Sequence, residues 1–139
     1  MKITLFTVQE ANRLMVEIKP LLERLIERKR AFDQVQASVD VLTLAVAGAS
    51  PGNPDVLRRR QLLERRQELA DRLKDGTAEI QGRGCVVKDL DRGLVDFYAV
   101  AGDRLIFLCW QLGEPEVGHW HSLEGGFAAR QPLNRTQRG

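Results

Sequence analysis

The two histidines of the chain, His119 and His121, stand two residues apart in the stretch GHWHS. If this stretch is a β-strand, both imidazoles lie on one face of it, because side chains alternate along a strand. Glu114 supplies a nearby carboxylate, and imidazole with carboxylate is a ligand set for Zn, Mn or Fe. One interpretation of this spacing is therefore a divalent-metal site with His121, His119 and Glu114 as its ligands.

A structural role for the same histidines is the alternative. A His-x-His motif is short and predicts metal weakly, and a histidine beside a tryptophan commonly packs and makes one hydrogen bond. A buried histidine can also be held by Asp or Glu without any catalysis. The sequence leaves three interpretations open here: a metal site, a structural network around His121, and a pocket for a small ligand.

Further charged residues lie in KDLDRG and near the C-terminus. Asp89 and Asp91 are two apart, so their carboxylates point to the same side of an extended segment. Arg92 and Arg130 suit an anionic substrate. Asp is also favoured in turns, so KDLDRG fits a turn equally well. The candidate site from the sequence comprises Asp89, Asp91, Arg92, Glu114, His121 and Arg130.

The two cysteines, Cys85 and Cys109, lie in the apolar contexts GCVV and FLCW. The chain has no CxxC motif, and two thiols cannot form a framework of several disulfides. We expect both cysteines to be buried free thiols that pack as small hydrophobic groups.

The N-terminal part must supply helices that support this site. Residues 7–47 are predicted to form one helix, in which Thr7 caps the start and Glu10 completes a capping box. Pro20 lies inside this helix and predicts a kink, a break or a separate start. Apolar residues then follow alternating steps of four and three, which is typical of a coiled-coil seam. They are Leu14, Ile18, Leu21, Leu25, Phe32, Val35, Val39, Leu42 and Val46.

A turn at residues 47–55 separates this helix from a second one, which repeats the spacing up to about residue 82. The short connection makes the two helices antiparallel neighbours, so residues 1–82 are predicted to form a helical hairpin. The second helix is too short to cover the first one completely, and its Gly76 weakens it. Part of the seam is therefore expected to meet the sheet or another copy of the chain.

Residues 83–133 change to the period of strands. Candidate strands cover 85–88, 94–100, 104–110 and 116–121, which predicts an antiparallel meander of three or four strands. Such a small sheet needs the hairpin as its cover, so the chain is expected to fold as one α+β unit. The polar residues 134–139 are predicted to be a disordered tail.

Composition narrows the functional classes. Lys and Arg number 21 and Asp and Glu number 19, a balance that argues against a nucleic-acid partner. The arginines Arg58–Arg60 fit a solvated helix face, with an RNA-binding patch as a weaker alternative.

The chain shows no membrane-spanning run and no signal peptide at its start, so we expect a cytoplasmic protein.

Several long motifs carry a resemblance to a known family. They are GCVVKDLDRGLVDF, LCWQLGEPEV and WHSLEGGFAARQPL, supported upstream by FTVQEANRLMVEIKPLLERL. The chain resembles, over nearly its whole length, a prokaryotic uncharacterised family catalogued as domain of unknown function 2203. The resemblance implies a small bacterial cytosolic protein and supplies no established activity. His119 departs from the family pattern, in which that position is more often aromatic.

The resemblance also places individual residues on the family's pattern. These positions are Asp89, Asp91, Gly93, Asp96, Trp110, Gly113, Glu114, Trp120, His121, Gly126, Phe127, Arg130 and Gln131.

Two functional hypotheses follow. The first is a non-enzymatic interaction or scaffold module that self-associates as a homo-oligomer through its long helices and binds an unknown protein partner. The second is a metal-dependent hydrolase, in which a divalent ion activates water. Its site would contain His121, Glu114, Asp89 and Asp91, with His119 optional.

Overall fold

The computed structural model describes residues 2–138 of the chain. Two long helices, α1 (Val8–Ala45) and α2 (Pro54–Gln81), form its N-terminal part. The predicted capping box of α1 is confirmed, since Thr7 and Glu10 exchange two backbone-to-side-chain hydrogen bonds of 3.1 Å. The helix runs through Pro20 without a break, so the alternatives of a break or a separate start there are wrong.

The two helices form the antiparallel hairpin that the sequence predicts, and polar contacts define its register. Arg59 Nε donates to Thr43 Oγ1 at 2.8 Å, and Arg66 Nη1 donates to Gln36 Oε1 at 3.0 Å. Between these two hydrogen bonds the residue number rises from 59 to 66 on α2 and falls from 43 to 36 on α1, as antiparallel helices require.

Gly76 has a packing role in this hairpin. A Cβ at this position would lie 2.7 Å from Leu25 Cδ1 of α1, which is closer than side chains tolerate. Glycine therefore lets α2 approach α1 at the level of Leu25, and this close approach offsets its low helix propensity.

Five antiparallel strands follow the hairpin: β1 (Val86–Asp89), β2 (Leu94–Ala101), β3 (Arg104–Gln111), β4 (His119–Ser122) and β5 (Gln131–Pro132). Each strand pairs with the next along the chain, which confirms the predicted α+β fold and meander. The fifth strand has two residues and is too short to be visible as a pattern in the sequence. A single 3₁₀ turn, Phe127–Ala129, lies between the last two strands.

The first half of α1 covers one face of the sheet, which we call the inner face. The buried residues of this layer include Ala11, Met15, Ile18, Leu22, Leu25 and Ile26 from α1, with Val95, Phe97, Ala99, Ile106, Leu108 and Trp110 from the sheet. The sheet covers a wider stripe than a coiled-coil seam, so Ala11, Met15 and Leu22 are buried although they lie outside the predicted seam.

The second half of α1 is much less buried. After Ile26, Val39 is the one buried residue of this helix, and it lies on the predicted seam toward α2. Lys29 Nζ contacts the Asp91 carboxylate at 3.1 Å, and this contact joins α1 to the turn between β1 and β2. The first half of α1 thus covers the sheet, while α2 packs along the second half of α1 and reaches as far as Leu25.

The sequence predicts a disordered tail over residues 134–139, of which Gly139 lies outside the described residues. Residues Arg135–Arg138 form one helical turn, α3. Gln137 N donates to Asn134 Oδ1 at 2.8 Å, and Asn134 N donates to Gln137 Oε1 at 2.9 Å. These reciprocal bonds are the capping box of a helix start, which composition alone did not indicate.

Among the described residues, none of the helices combines the length and the hydropathy that a membrane span requires.

Candidate functional site

The face of the sheet that points away from α1, which we call the outer face, carries a group of polar residues. Asp96 of β2 pairs with Cys109 of β3, and Cys109 pairs in turn with His119 of β4. Because side chains alternate along a strand, His121 shares the outer face with His119. Three neighbouring strands therefore bring Asp96, Cys109 and His121 together.

Asp96 and His121 are both 3% exposed and form a buried pair, with His121 Nε2 3.1 Å from Asp96 Oδ2. The other ring nitrogen, Nδ1, lies 2.7 Å from the carbonyl oxygen of Ser122. A carbonyl oxygen only accepts, so Nδ1 carries a hydrogen in this arrangement. The contact between Nε2 and the carboxyl group then needs one further proton, held by either partner.

Burial raises the pKa of Asp96, and the neighbouring His121 opposes this rise. The carboxyl group of Asp96 is thus held in a setting that disfavours its charge unless a cation compensates it. His121 is the partner that the structure provides for this purpose.

Cys109 completes the cluster as a buried free thiol. Burial raises its pKa to about 12, and the adjacent charge of Asp96 adds to the rise. Cys85, the other free thiol, donates to the carbonyl oxygen of Ile80 at 3.4 Å in the inner core, and burial raises its pKa to about 11. The prediction that both cysteines are buried free thiols is confirmed.

The ligand atoms of Asp96, Cys109 and His121 all lie within 4.8 Å of one another. Ligands of a tetrahedral zinc ion stand roughly 3.5 Å apart, given Zn–N and Zn–S bonds of about 2.0–2.3 Å. The widest of the three separations would have to shorten for all three atoms to coordinate one ion. Among residues 2–138, this is the group of His, Cys, Asp and Glu that is close enough to share one ion.

A cavity of about 150 Å³ adjoins the cluster. Its walls are Asp96, Cys109, His121, Lys88, Leu94, Leu123, Glu124, Gly126 and Phe127. The chain between β4 and β5, residues 123–130, closes it and is called the covering segment. Ser122 Oγ accepts from Gly125 N at 3.0 Å, and Gly126 has φ of 66°, so a tight turn folds the segment back over the sheet.

Glu114 and Arg130 form the second polar feature of this region. Arg130 Nη1 and Nη2 donate to the two carboxylate oxygens of Glu114 at 2.9 and 2.8 Å, and Gln111 N donates to Oε1 at 2.7 Å. Burial would raise the pKa of Glu114, but these hydrogen bonds outweigh burial and lower it. Glu114 in turn raises the pKa of Arg130. The pair ties the turn after β3 to the covering segment.

His119 lies beside this pair and outside the buried cluster. Its Nδ1 is 3.2 Å from Glu114 Oε2 but lacks hydrogen-bond geometry and has no partner in the described part of the chain. Glu114 is engaged by Arg130, and His121 is engaged by Asp96. The structure therefore does not bring His119, Glu114 and His121 together as one ligand group, although the sequence indicated them as such.

Asp89 and Asp91 lie in the turn between β1 and β2. Asp89 Oδ1 accepts from Asp91 N at 2.9 Å and from Arg92 N at 3.1 Å, which is the hydrogen-bond pattern of an Asx turn. The Asp91 carboxylate is exposed and pairs with Lys29 of α1. These contacts correspond to the turn alternative, and neither carboxylate joins the cluster of Asp96.

Arg92 and Arg130 are brought together by an aromatic ring. The guanidinium carbons of Arg92 and Arg130 lie 5.5 and 4.6 Å from the ring centroid of Phe127. Lys88 Nζ lies 4.7 Å from the centroid of Phe107 on the same side of the sheet. Phe127, which lines the cavity, is thus contacted by two guanidinium groups at distances typical of cation–π pairs.

Asp96 and Cys109 are the site residues that sequence reasoning missed. Asp96 is the one charged residue in the apolar strand LVDFYAV, and a carboxylate in such a strand needs a buried partner. The turn at residues 101–103 also predicts the pairing of Asp96 with Cys109, because register follows from the hairpin connection. Both signals were present in the sequence.

Comparison with family models identifies the chain. It belongs to the family described as Uncharacterized conserved protein (DUF2203), whose model matches residues 4–133. Comparisons with curated proteins and with solved structures found no match. The resemblance seen in the sequence motifs is therefore confirmed, and the family description carries no activity.

Proposed function

We propose that this protein binds one divalent transition-metal ion between Asp96, Cys109 and His121. The observation that carries the proposal is the placement of three buried ligand atoms within 4.8 Å of one another. The three buried polar side chains are partnered by one another and by neighbouring groups, and a bound ion would replace the contacts among them with coordination bonds. The ligands stand on three paired strands, which hold a metal site more precisely than loops do.

The ligand chemistry narrows the choice of ion. The sequence indicated Zn, Mn or Fe, and a thiolate in the ligand set favours Zn or Fe because Mn prefers oxygen ligands. Glu124 is a further carboxylate in the lining of the same cavity. Three protein ligands with a fourth position left to water are also typical of reactive zinc sites.

The size of the cavity favours metal binding over turnover of a large substrate. Its volume of about 150 Å³ is well below the roughly 300–1,000 Å³ of ligand pockets in general. A metal-dependent hydrolase built on this site would need a very small substrate or a movement of the covering segment. Binding of the ion itself is the function that the geometry supports best.

Catalysis by a cysteine nucleophile is less compatible with the cluster. A nucleophilic thiol has a lowered pKa and contacts its base, as in Cys–His pairs. Here burial raises the pKa of Cys109, and the two ring nitrogens of His121 face Asp96 and the carbonyl oxygen of Ser122. The cluster therefore lacks the lowered thiol pKa and the contacting base of a cysteine nucleophile, whereas a bound cation would itself stabilise the Cys109 thiolate as a ligand.

The test is metal content of the full chain, purified without a metal-affinity tag, incubated with Zn²⁺ and dialysed. We expect about one ion per chain in the wild type and loss of the ion in Cys109→Ala. Cys85→Ala is the matched control, because it removes the other buried thiol from the opposite face of the sheet and should leave the metal content unchanged.

Replacement of zinc by Co²⁺ gives a second readout. A thiolate ligand produces a sulfur-to-cobalt charge-transfer absorption, which should be present in Cys85→Ala and absent in Cys109→Ala. A wild-type protein that retains no ion, or an equal metal content in both cysteine variants, would contradict the proposed function.

A further inference from the structure

We propose that the distal half of the helical hairpin is an interface between two copies of this chain. The surface consists of the second half of α1, after residue 30, and the first half of α2, up to residue 66. A groove of about 460 Å³ runs between them and is called the distal groove. It is lined by Ala37, Ser38, Val41, Leu42, Arg58 and Leu62.

The apolar side chains of this surface are not covered by the chain itself. Val41 is 66% exposed and Leu44 is 82% exposed, and they lie three residues apart on α1. Residues at this spacing are neighbours on a helix, so they form a ridge next to the groove. The seam toward α2 is a different stripe, which contains the buried Val39. The distal part of α1 therefore has a second apolar face with no partner in the described chain.

Charge complementarity identifies the occupant as a second copy. Residues 31–53 contain two acidic residues, Asp33 and Asp40, and no Lys or Arg, whereas residues 56–66 contain five arginines and one glutamate. The acidic side of the surface is thus α1 and the basic side is α2. A two-fold symmetric pair sets α1 of each copy against α2 of the other, so that acid meets base twice.

The charges of Asp40, Arg58 and Arg60 are available for contacts with a second copy. Within residues 2–138, no ion pair involves Asp40, Arg58 or Arg60. Asp40 accepts a hydrogen bond from Gln36 at 2.8 Å, which is a neutral partner. An isologous pair would give these groups their counter-charges while the ridge of Val41 and Leu44 enters the partner's distal groove.

The first experiment measures the mass of the full chain in solution by light scattering or sedimentation over a range of concentrations. We expect a dimer for the wild type. Val41→Lys places a cation on the ridge opposite the partner's arginines and should raise the dimer dissociation constant about tenfold or more. Val16→Lys is the matched control, since Val16 is 77% exposed on the first half of α1 and lies outside the distal surface.

A charge exchange tests the symmetry of the interface. Asp40→Arg and Arg58→Asp should each weaken the homodimer, because each places like charges opposite one another in both symmetry-related contacts. An equimolar mixture of the two variants should form a heterodimer, in which both contacts again join opposite charges. Circular dichroism of each variant establishes that the helices remain folded.

A wild-type chain that stays monomeric at high concentration would overturn the proposal. Equal weakening by Val41→Lys and Val16→Lys would place the interface elsewhere on the molecule. A monomer that binds RNA through its arginines with strong salt dependence would assign this surface to nucleic acid and would also overturn it.

Discussion

The imidazole of His121 is held from two sides, by the carbonyl oxygen of Ser122 at Nδ1 and by the carboxyl group of Asp96 at Nε2. Both side chains are buried on the outer face of the sheet, where no helix covers them. Asp96 and His121 are therefore each other's main side-chain partners, and removal of one side chain leaves the other buried without that partner.

His121→Ala should destabilise the metal-free protein by about 2–4 kcal/mol, because it opens a cavity and leaves Asp96 buried without its partner. Asp96→Asn should cost less than about 1 kcal/mol, since the amide has the same shape and can donate to Nε2. Urea unfolding in the presence of a chelator measures both values. Equal losses in the two variants would contradict the expectation that the amide introduced by Asp96→Asn preserves the contact with His121.

The two thiols should be almost unreactive in the folded protein. Burial raises the pKa of Cys85 to about 11 and of Cys109 to about 12, so the thiolate fraction at about pH 8 is lowered roughly 100-fold or more relative to an ordinary cysteine. A thiol reagent should label both groups quickly only after denaturation. Fast labelling of one thiol in the native state would mean that its surroundings open readily.

These thiols also predict a pH dependence at the alkaline end. A folded pKa above the unfolded value means that the native state retains protons that the unfolded chain releases. The corresponding stability is complete below the unfolded pKa of about 8.5 and is lost as the pH rises toward the folded values of about 11 and 12. Unfolding free energies of the metal-free protein, measured between these limits with a chelator present, should fall less steeply in Cys109→Ala than in the wild type.

The bidentate pair of Glu114 and Arg130 should contribute to stability in a pH-dependent way. Its hydrogen bonds lower the pKa of Glu114, so its contribution is present above the unfolded pKa of about 4.3 and is lost as the pH falls through the lower folded value. Glu114→Gln should cost about 1–3 kcal/mol at neutral pH. Its stability should approach that of the wild type under acidic conditions.

An exposed ion pair provides the control for this measurement. Glu68 contacts Arg65 at 3.2 Å on the surface of α2. Glu68→Gln should change the unfolding free energy by about 0.5 kcal/mol or less at any pH, because exposed pairs are screened by solvent. A similar effect of both substitutions would contradict the distinction between the two pairs.

Gly93 and Gly102 have nearly the same φ angle, so alanine substitutions at the two positions distinguish the cost of backbone strain from the cost of steric overlap. Gly93 has φ of 68° and a Cβ there would lie 2.6 Å from Leu112 Cβ, whereas Gly102 has φ of 65° and open space around it. Gly102→Ala should cost about 1 kcal/mol for the left-handed conformation, and Gly93→Ala about 2 kcal/mol more. Thermal or urea unfolding of the two variants checks this order, and the reverse order would contradict it.

Much of the fold followed from local patterns. The capping box of Thr7 and Glu10, the four-three seam and the turn at residues 47–55 predict the hairpin because each depends on neighbours within a few residues. The two apolar runs in residues 94–110, separated by a turn that contains glycine, likewise predict the central strands. The short strand β5 and the helical turn after Asn134 were missed, since both are too short to show a period.

The candidate site was predicted in part. His121 was identified from its spacing, but its partners were taken to be His119 and Glu114, which are near in sequence. In the structure Glu114 binds Arg130, and His121 meets Asp96, which is 25 residues away along the chain.

The sequence by itself determined the two long helices and the longer strands, and which of their residues share a face, because these properties depend on local periodicity. Only the tertiary structure decided that α1 covers one face of the sheet and leaves the other to Asp96, Cys109 and His121. The covering segment then encloses these three side chains, and their burial sets the pKa values of Asp96 and Cys109. Strand register and layer packing join distant residues, so the chemistry of the outer face could not follow from spacing alone.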